Sequence, residues 1–582
     1  MTQTQSPNIT LNWKIAGKAG EGVMALSKMV AKICKRHGLN AFDYLEYPSL
    51  IKGGHQTGQV FASNHQALCQ KRHLNLLITL GPEGLIEHKD ETTTDTIIIY
   101  NTNAIPVDIA KYDIPHAQFL QIPFYTISKD VTGNLLAMNI VALGVTAYFL
   151  GFDMEIARQA VRDEFADKKA EIVDADLKAL EAGFQAAQQL GKPLMTVPTQ
   201  PDEQILVSGN EAIGLGAIQA GIQFYSAYPM TPASGLLHYL ADQQKNYPLV
   251  VKHAEDEIAA INNALGASYA GVRAMTGSSG GGFALMVEGV SFASIAEIPL
   301  VILEAQRKGP ATGLPTWTEQ ADLSFVLTAG HGDLQRVVLT PGTVEEHFEL
   351  AKKAFYLAEK YQIPVFILSD KFILESHQTM PTPDAEATSP HQSMVEQLPE
   401  DDSFRRYELT DSGISPRSVP GQAHGLQLTN SYEHDQFGFA TEDATMTINQ
   451  VEKRAKKMEG IQAELPQPVV IGPKTADITL VSWGSTVNVI AQLIDEQAHQ
   501  SESAPAINCI HLPCLWPFPE ATFSQLASQA KTLVMVEGNG TGQAEKLIRQ
   551  ETGITFDHHI RRYDGRPFYV EDLTELLANL NQ

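Results

Sequence analysis

The sequence predicts an α/β protein made of three α/β domains whose sheets are mostly parallel. Short apolar runs that end in Gly, Pro or polar clusters alternate with helical periodicity, which is the pattern of βα repetition. The chain has 582 residues, which is enough for three or four domains at about 150 residues each. The alternation stops at residues 192–204 and again at 378–465, and it restarts after each.

The composition is ordinary for a globular protein, with 43% hydrophobic and 19% charged residues. A net charge of −25 argues against nucleic acid and anionic membranes as partners. The N-terminus lacks the basic start and apolar run of a signal peptide. The longest apolar run, residues 135–150, contains Asn139 and Thr146 and is short for a bilayer, so it predicts a buried helix. We expect a cytoplasmic protein without a membrane segment.

The four cysteines form no CxxC pair. Cys34, Cys69, Cys509 and Cys514 are too scattered to be a typical zinc or iron–sulfur ligand set. We expect them to be reduced and structural.

In residues 1–191, strand-like runs such as LNWKIAG and DTIIIYN alternate with helical stretches at 22–38 and 174–190. Residues 192–204 contain three prolines and no periodicity, which predicts a linker. In residues 205–377, runs such as IPLVILEAQ and IPVFILSDK predict buried parallel strands. Thr343 and Glu346 predict a capping box for the helix that follows.

Residues 378–465 are rich in Pro, Ser, Thr, Asp and Gln up to a basic helix-like stretch, NQVEKRAKKMEG. We interpret them as a connecting arm, and a connector this long is more often functional or inter-subunit than idle. Residues 466–582 restart the βα alternation and predict a third compact unit.

Three stretches of the second region can carry chemistry. The first, FYSAYPMTPASG at 224–235, predicts a strand–loop–helix corner that presents Thr231 between two prolines. The second, AEDEIAA, places Glu255 and Glu257 at the start of a helix of small apolar residues, where a carboxyl group can be partly buried and hold a proton. It leads to the glycine turn TGSSGGG at 276–282, which permits close approach of a ligand to the backbone.

The third stretch, QRKGPATGLPTWTEQADL at 306–323, follows a strand at the end where open α/β sheets bind ligands. Its anion-binding candidates are Arg307, Lys308, Thr312 and Thr316. Taken singly, each stretch is also compatible with an ordinary turn, helix cap or exposed basic loop.

Together, AYPMTPAS, AEDEIAA, TGSSGGG and the 306–323 loop resemble the pyrimidine-binding domain of the alpha subunit of 2-oxoacid:ferredoxin oxidoreductases. SYEHDQFGFATED, EKRAKKMEG and LVMVEGNGTGQ are similar to this family too, and IAGKAGEGV and YPSLIKGGHQTGQVFAS resemble its gamma module. The resemblance implies a gamma domain at 1–191, a linker at 192–204, a pyrimidine-binding domain at 205–377, an arm at 378–465 and a transketolase C-terminal-like domain at 466–582. Gamma fused ahead of alpha is similar to the 2-oxoglutarate:ferredoxin oxidoreductases.

The resemblance implies thiamine diphosphate-dependent oxidative decarboxylation of 2-oxoglutarate with coenzyme A, giving succinyl-CoA and CO₂ and reducing ferredoxin. Pyruvate and branched-chain 2-oxoacids are the alternative substrates, and the reverse carboxylation of a reductive TCA cycle is the alternative direction. A beta subunit would hold the diphosphate with its Mg²⁺ and a [4Fe–4S] cluster, within an (alpha-beta)₂ heterotetramer. The GDG motif expected for the diphosphate does not occur in this chain.

The resemblance also implies roles for individual residues. A carboxyl group beside N1′ of the aminopyrimidine promotes loss of the thiamine C2 proton. Matching the motif without gaps assigns this group to Glu257, with Glu255 as the alternative. Cofactor contacts are assigned to Glu257, Pro229, Ser278, Ser279 and Gly280.

Substrate binding is assigned to three residues. Thr231 would contact the carboxylate or keto oxygen, beside Tyr228. Many relatives carry a basic residue where this chain has Trp317, so Arg307 is our assignment for the substrate carboxylate.

The GKAGEGV turn is spaced GxxGxG rather than GxGxxG, so it is not a dinucleotide fingerprint. It still offers backbone N–H groups at a helix start, which suit phosphate. The coenzyme A candidates are therefore Gly17, Lys18, Gly20, Gly22, Lys52, Gly53 and Gly54. A tight turn without a ligand is the alternative.

Two other classes of function compete with this interpretation. A nicotinamide- or flavin-dependent dehydrogenase could use the glycine turns, although the fingerprint spacing is wrong for it. A non-catalytic scaffold subunit is the second, and we expect the chain to be inactive without its beta subunit.

Overall fold

The computed structural model describes residues 9–49, 53–105, 108–200, 202–384, 394–395, 397–401, 403–499 and 505–580. The chain divides into two compact units. The first unit comprises 1–208, 376–383 and 569–582, and the second comprises 209–375 and 384–568.

The first unit is built on an eight-stranded sheet of order β6-β5-β4-β1-β3-β2-β14-β7. Strands β1, β4, β5 and β6 run parallel, whereas β3, β2, β14 and β7 continue from β1 in antiparallel pairs. The strands are β1 Thr10–Lys18, β2 Asn40–Glu46, β3 His55–Ser63, β4 Leu76–Thr79, β5 Ile97–Asn101, β6 Gln118–Ile122, β7 Gln204–Ser208 and β14 His377–Pro381.

Helices pack on this sheet, and most of them supply residues to its main apolar core. They are α1 Val23–Arg36, α2 Glu83–Glu87, α3 Phe124–Thr132, α4 Met138–Phe149, α5 Met154–Glu164, α6 Ala170–Gln188 and α19 Val570–Leu580. Helix α4 is buried along nearly its whole length, which confirms the predicted buried helix in residues 135–150. Among the described residues, no helix is both long enough and apolar enough to cross a membrane.

The compact units divide the chain differently from the predicted boundaries. Strands β7 and β14 pair with each other, and β14 also pairs with β2, so both complete the first sheet although they lie outside 1–191. Helix α19 also belongs to the first unit, where Asp572 is paired with Arg72. The predicted linker packs on this unit, with the N–H of Leu194 donating to the carbonyl oxygen of Phe149 at 2.8 Å. Composition indicates where periodicity breaks, but it does not show which distant segments pair as strands.

The second unit contains a seven-stranded sheet of order β18-β12-β13-β11-β10-β8-β9. All its neighbours are parallel except β18 at the edge. Its strands are β8 Phe224–Ala227, β9 Val250–His253, β10 Ala274–Ser278, β11 Leu300–Gln306, β12 Val337–Leu339, β13 Pro364–Asp370 and β18 Cys514–Trp516.

A five-stranded sheet of order β15-β17-β16-β19-β20 forms the rest of the second unit. Its strands are β15 Val469–Ile471, β16 Ile478–Trp483, β17 Ile507–Leu512, β19 Leu533–Glu537 and β20 His558–Arg561. Trp483 and Leu512 of this sheet share one buried cluster with Ile302 and Phe366 of the seven-stranded sheet. The second and third predicted domains are therefore fused through a common core.

Twelve described helices surround these two sheets. They are α7 Gly209–Gln219, α8 Ser234–Gln243, α9 Glu257–Tyr269, α10 Gly280–Phe283, α11 Val287–Ile295, α12 Leu323–Thr328, α13 Val344–Tyr361, α14 Lys371–Glu375, α15 Ala444–Glu464, α16 Thr486–His499, α17 Glu520–Ala527 and α18 Gln543–Thr552. Thr343 is the N-cap of α13, as predicted, and accepts a hydrogen bond from the N–H of Glu346. The Glu346 carboxylate accepts from the N–H of Gly342 at 2.6 Å, one residue before the position that a capping box requires. Parallel pairs predominate in the seven- and five-stranded sheets and over the three sheets taken together, which confirms the predicted fold class. In the first sheet, antiparallel pairs outnumber parallel ones.

The arm ends in α15, which is anchored by a buried charge cluster. Lys453 and Lys457 lie 2.6 and 2.5 Å from the carboxylate of Glu297, and all three side chains are almost fully buried. Because an unpaired buried charge is costly, this cluster fixes the register of the helix on the second unit.

Candidate active site

The corner after β8 is held by a hydrogen bond from a neighbouring helix. Asn210 of α7 donates to the carbonyl oxygen of Pro232 at 3.0 Å, and the Thr231–Pro232 peptide bond is cis. Helix α8 begins at Ser234. Thr231 is partly buried at this corner, while Tyr228 is 39% exposed.

The two candidate glutamates differ sharply in burial. Asp256 is the N-cap of α9 and accepts a hydrogen bond from the N–H of Ala259 at 2.7 Å. This cap turns Glu257 inward to 4% exposure and leaves Glu255 exposed to solvent. The Oε1 atom of Glu257 has no hydrogen-bond partner among the described residues. Such an unpaired buried acceptor is uncommon unless a ligand or water completes it.

The glycine turn after β10 lies directly against Glu257. A Cβ atom on Gly282 would be 2.1 Å from Ser278 Oγ and 2.5 Å from Glu257 Oε1. Only glycine therefore allows these side chains to approach the turn so closely. Ser278 Oγ is 3.8 Å from the sulfur of Met230, beside Thr231. Ser279 Oγ is fully buried and also has no partner within the described chain.

The loop after β11 reaches the corner through Arg307. Its guanidinium donates to the carbonyl oxygen of Thr231 at 2.9 Å. Burial lowers the pKa of Arg307, and the carboxylate of Asp322 opposes that shift. The neighbouring Lys308 is paired with Glu319 at 2.8 Å. Arg307 is therefore the better placed of the two loop cations for an anionic substrate.

The structure thus joins the three predicted stretches of the second region into one site. Glu257 meets Ser278 at the glycine turn, Ser278 meets the corner, and the corner meets Arg307. Pro229 is partly buried in the corner, and Gly280 lies against Asp322. Glu255 is not part of this arrangement.

Two acids in this site were missed from the sequence. Glu304 lies on β11 with no exposed surface, and Asp322 precedes α12. The sequence does contain a signal for the first, because PLVILEA places a carboxylic acid within an otherwise apolar strand.

Trp317 has a cationic neighbour that the sequence did not indicate. The guanidinium of Arg566 stacks over its ring, 3.2 Å from the centroid. The backbone brings them together, since the N–H of Thr318 donates to the carbonyl oxygen of Gly565 at 3.2 Å. A basic group therefore lies at this point of the loop, supplied by a segment distant in sequence.

In the glycine turn of the first unit, two backbone N–H groups already have acceptors within the protein. The N–H of Lys18 donates to the carboxylate of Glu21 at 2.7 Å, and the N–H of Ala19 donates to the carbonyl oxygen of Gly54 at 3.2 Å. Lys18 Nζ is also 3.7 Å from Glu83. Gly20, Gly22 and Gly53 adopt positive φ angles, which suits a tight turn. Lys52 lies outside the described residues.

A chain of side chains extends from this turn into the sheet. His55 Nε2 is 2.9 Å from His88 Nε2, and His88 Nδ1 is 2.9 Å from Glu91. Glu91 is also paired with the buried Lys14. Lys14 and then His88 hold the pKa of Glu91 at about 2, against the effect of burial, so the chain ends in a carboxylate.

Three family models match successive parts of the chain. Residues 12–186 match "Pyruvate ferredoxin/flavodoxin oxidoreductase", and residues 215–453 match "Pyruvate flavodoxin/ferredoxin oxidoreductase, thiamine diP-bdg". Residues 469–554 match "Transketolase, C-terminal domain".

Curated relatives match over nearly the full length. A 2-oxoacid:ferredoxin oxidoreductase subunit alpha from Saccharolobus solfataricus is 30% identical, over 97% of each chain. A 2-oxoglutarate oxidoreductase subunit KorA from Mycobacterium tuberculosis is 32% identical, over 92% of this chain and 86% of its own. The chain belongs to the 2-oxoacid:ferredoxin oxidoreductase alpha subunits, which confirms the resemblance in its motifs.

A solved structure agrees with this assignment. It is a 2-oxoglutarate:ferredoxin oxidoreductase from Magnetococcus marinus with 2-oxoglutarate, coenzyme A and succinyl-CoA bound. It is 31% identical, with a TM-score of 0.90 over 98% of this chain and 100% of the other.

Proposed function

We propose that this chain is the gamma–alpha fused subunit of a thiamine diphosphate-dependent 2-oxoglutarate:ferredoxin oxidoreductase. The reaction oxidises 2-oxoglutarate with coenzyme A to succinyl-CoA and CO₂, and its electrons pass singly to ferredoxin. The observation that carries the proposal is the buried oxygen of Glu257 at the glycine turn, which has no hydrogen-bond partner among the described residues. The matched thiamine-binding family model supports it.

The residues around Glu257 fit the aminopyrimidine of thiamine. The ring carries both donors and acceptors. Beside the three glycines of the turn, the site offers buried oxygens on Glu257 and Ser279 that have no partner in the described part of the chain. Glu257, Ser278, Ser279, Gly280 and Pro229 would hold it. When bound, thiamine diphosphate supplies the nucleophilic carbon that permits loss of CO₂ from a 2-oxoacid.

The side chains of this subunit have distinct tasks in the proposal. Glu257 exchanges a proton with the pyrimidine ring through its Oε1 atom. Arg307 binds the carboxylate of the 2-oxoacid, and its bond to the Thr231 carbonyl orients both groups. Thr231 places its hydroxyl toward the carboxylate or keto oxygen, with Tyr228 at the exposed edge.

A beta subunit completes the enzyme in this proposal. It holds the diphosphate, the Mg²⁺ and a [4Fe–4S] cluster, in an (alpha-beta)₂ heterotetramer that reduces ferredoxin. The relatives' designation as alpha subunits supports a partner of this kind. All four cysteines of this chain are buried.

The substrate and coenzyme A assignments rest on named relatives. The Mycobacterium subunit is named for 2-oxoglutarate, and the Magnetococcus structure holds 2-oxoglutarate and coenzyme A. Pyruvate and branched-chain 2-oxoacids remain the alternatives. We place coenzyme A at the turn of residues 17–22 with Lys52, Gly53 and Gly54.

The test is a substrate panel on the assembled enzyme. The chain is co-produced with its beta subunit, and viologen or ferredoxin reduction is followed with 2-oxoglutarate, pyruvate and branched-chain 2-oxoacids plus coenzyme A. We expect thiamine diphosphate-dependent activity that is highest with 2-oxoglutarate, and none from the chain alone. A complex that reduces viologen with none of these acids would overturn the proposal, and a preference for pyruvate would overturn the substrate assignment.

A further inference from the structure

Glu304 is a carboxylic acid that the proposed reaction does not use. It lies on β11 with 0% exposure, paired in register with Ser278 of β10. No donor group of a described residue is hydrogen-bonded to either of its oxygens. A buried carboxylate without a donor or a cation beside it is strongly disfavoured, so this group holds a proton. Burial, and next the Asp322 carboxylate, raise the pKa of Glu304 well above its ordinary value.

The group that Glu304 meets is the carboxylate of Asp322. The two side chains are within hydrogen-bonding reach, and the backbone N–H of Asp322 donates to Gln306 at 3.0 Å. Burial raises the pKa of Asp322 to about 6, while the Glu304 hydrogen bond and the Arg307 charge act in the opposite direction. Near neutral pH, one proton therefore serves two carboxyl groups, with Glu304 as donor and Asp322 as anion.

Asp322 contacts the glycine turn and acts on Arg307 through its charge. A Cβ atom on Gly280 would lie 2.5 Å from Asp322 Oδ2, so the carboxylate supports the turn that Glu257 faces. The negative charge of Asp322 also favours the charged form of Arg307, which donates to the Thr231 carbonyl oxygen.

We propose that Glu304 and Asp322 form an acid pair with one shared proton, and that this pair positions Arg307 for the carboxylate of the 2-oxoacid. The inference rests on the proposed function and adds two positioning residues to it. Protonated Glu304 donates to Asp322, which keeps its negative charge and orients the Arg307 guanidinium. Without that anion, the hydrogen bond that the described residues offer the Arg307 guanidinium is the one to the Thr231 carbonyl oxygen.

The pair makes substrate binding depend on pH. Among the described residues, the charged or titratable groups that act on Asp322 are Glu304 on β11 and Arg307 and Glu319 on the loop, and Glu319 is paired with Lys308. The ionised form of Asp322 predominates above about pH 6 and is lost below it. We therefore expect the KM for the 2-oxoacid to rise as the pH falls through this value, with a smaller change in kcat.

The experiment measures the pH dependence of this KM in the complex with the beta subunit. In Glu304→Gln the amide can still donate to Asp322, so the inflection of the KM-against-pH curve should stay near that of the wild type. In Glu304→Leu no donor remains, and the inflection should move upward by roughly one pH unit or more. In Asp322→Asn the inflection should vanish, with a KM raised about tenfold at all pH values. A purely structural role would lower activity without moving the inflection.

A second measurement needs no turnover. The infrared difference between the wild-type chain and Glu304→Gln at neutral pH should contain the carbonyl band of a protonated carboxylic acid. Absence of that band overturns the inference, as does an inflection that is the same in the wild type, Glu304→Leu and Asp322→Asn. A complex that oxidises no 2-oxoacid would instead defeat the proposed function, and the infrared band would still decide whether the pair holds its proton.

Discussion

The two glycine turns of the molecule, residues 17–22 and 276–282, look alike in sequence and differ in what surrounds them. At the second turn, Glu257 Oε1 and Ser279 Oγ are buried without partners in the described chain. At the first turn, the Lys18 N–H is bonded to Glu21 and the Ala19 N–H to Gly54.

This difference shows what glycine clusters do and do not indicate. Glycines permit a backbone shape, and that shape can serve a ligand or simply close a turn. Buried polar atoms without partners are the stronger sign of a ligand site, because their desolvation must be compensated. By this criterion the second turn is prepared for a ligand, whereas a phosphate at the first would have to displace Glu21.

The largest effect should come from Glu257→Gln. The amide keeps the shape but cannot exchange a proton with the pyrimidine, so kcat should fall by about 10²–10⁴-fold. The measurement is steady-state 2-oxoacid oxidation by the assembled complex, with assembly checked by gel filtration. Glu255→Gln is the matched control and should be near wild type, because Glu255 is exposed. An inactive Glu255→Gln together with an active Glu257→Gln would assign the carboxyl group at the pyrimidine to Glu255 instead.

Gly282→Ala should have the second largest effect on kcat. Its new methyl group would meet Ser278 Oγ at 2.1 Å and Glu257 Oε1 at 2.5 Å. Displacing Glu257 by about an ångström should cost roughly 100-fold in kcat. Gly281→Ala is the control, since a Cβ there meets nothing within 4 Å. Equal activity of the two variants would mean that Glu257 does not need its present position.

Lys52→Ala tests the first turn and should have a moderate effect. A lost charge-assisted contact of about 1.5–3 kcal/mol would raise the KM for coenzyme A roughly tenfold or more. The KM for the 2-oxoacid and the reduction of the cluster without coenzyme A should be unchanged. The control is Lys531→Ala, an exposed lysine of the second unit. An unchanged KM for coenzyme A would mean that coenzyme A binds elsewhere.

Glu21→Gln should have the smallest effect, and in the opposite direction. Removing a negative charge beside the turn favours phosphate by about 0.3–1 kcal/mol, so the KM for coenzyme A should fall about two- to fivefold. Tyr125→Phe, which removes only the hydroxyl that donates to Glu21 at 3.2 Å, is the control. A higher KM in Glu21→Gln would indicate that the carboxylate shapes the turn for its ligand.

Much of the site was predictable because its motifs are local. The corner, the start of α9 and the glycine turn each lie within about a dozen residues. In each of them, prolines, acids or glycines indicate the backbone conformation. The burial of Glu257 also follows from a local feature, the Asp256 cap. The stacking of Arg566 on Trp317 had no such signal, since it joins segments separated by 249 residues (566 − 317).

By itself, the sequence determined the fold class and the family, because βα periodicity and the spacing of the motifs are properties of neighbouring residues. Only the tertiary structure decided that β7, β14 and α19 complete the first unit and that the second and third predicted domains share a core. It also decided that Glu304 meets Asp322 and that the first glycine turn is filled by Glu21. These outcomes depend on which strands pair and which side chains are buried together, as in the contact between Asp43 and His377 across 334 residues. Such contacts are set by the packing of the whole chain, and no local pattern of residue types specifies them.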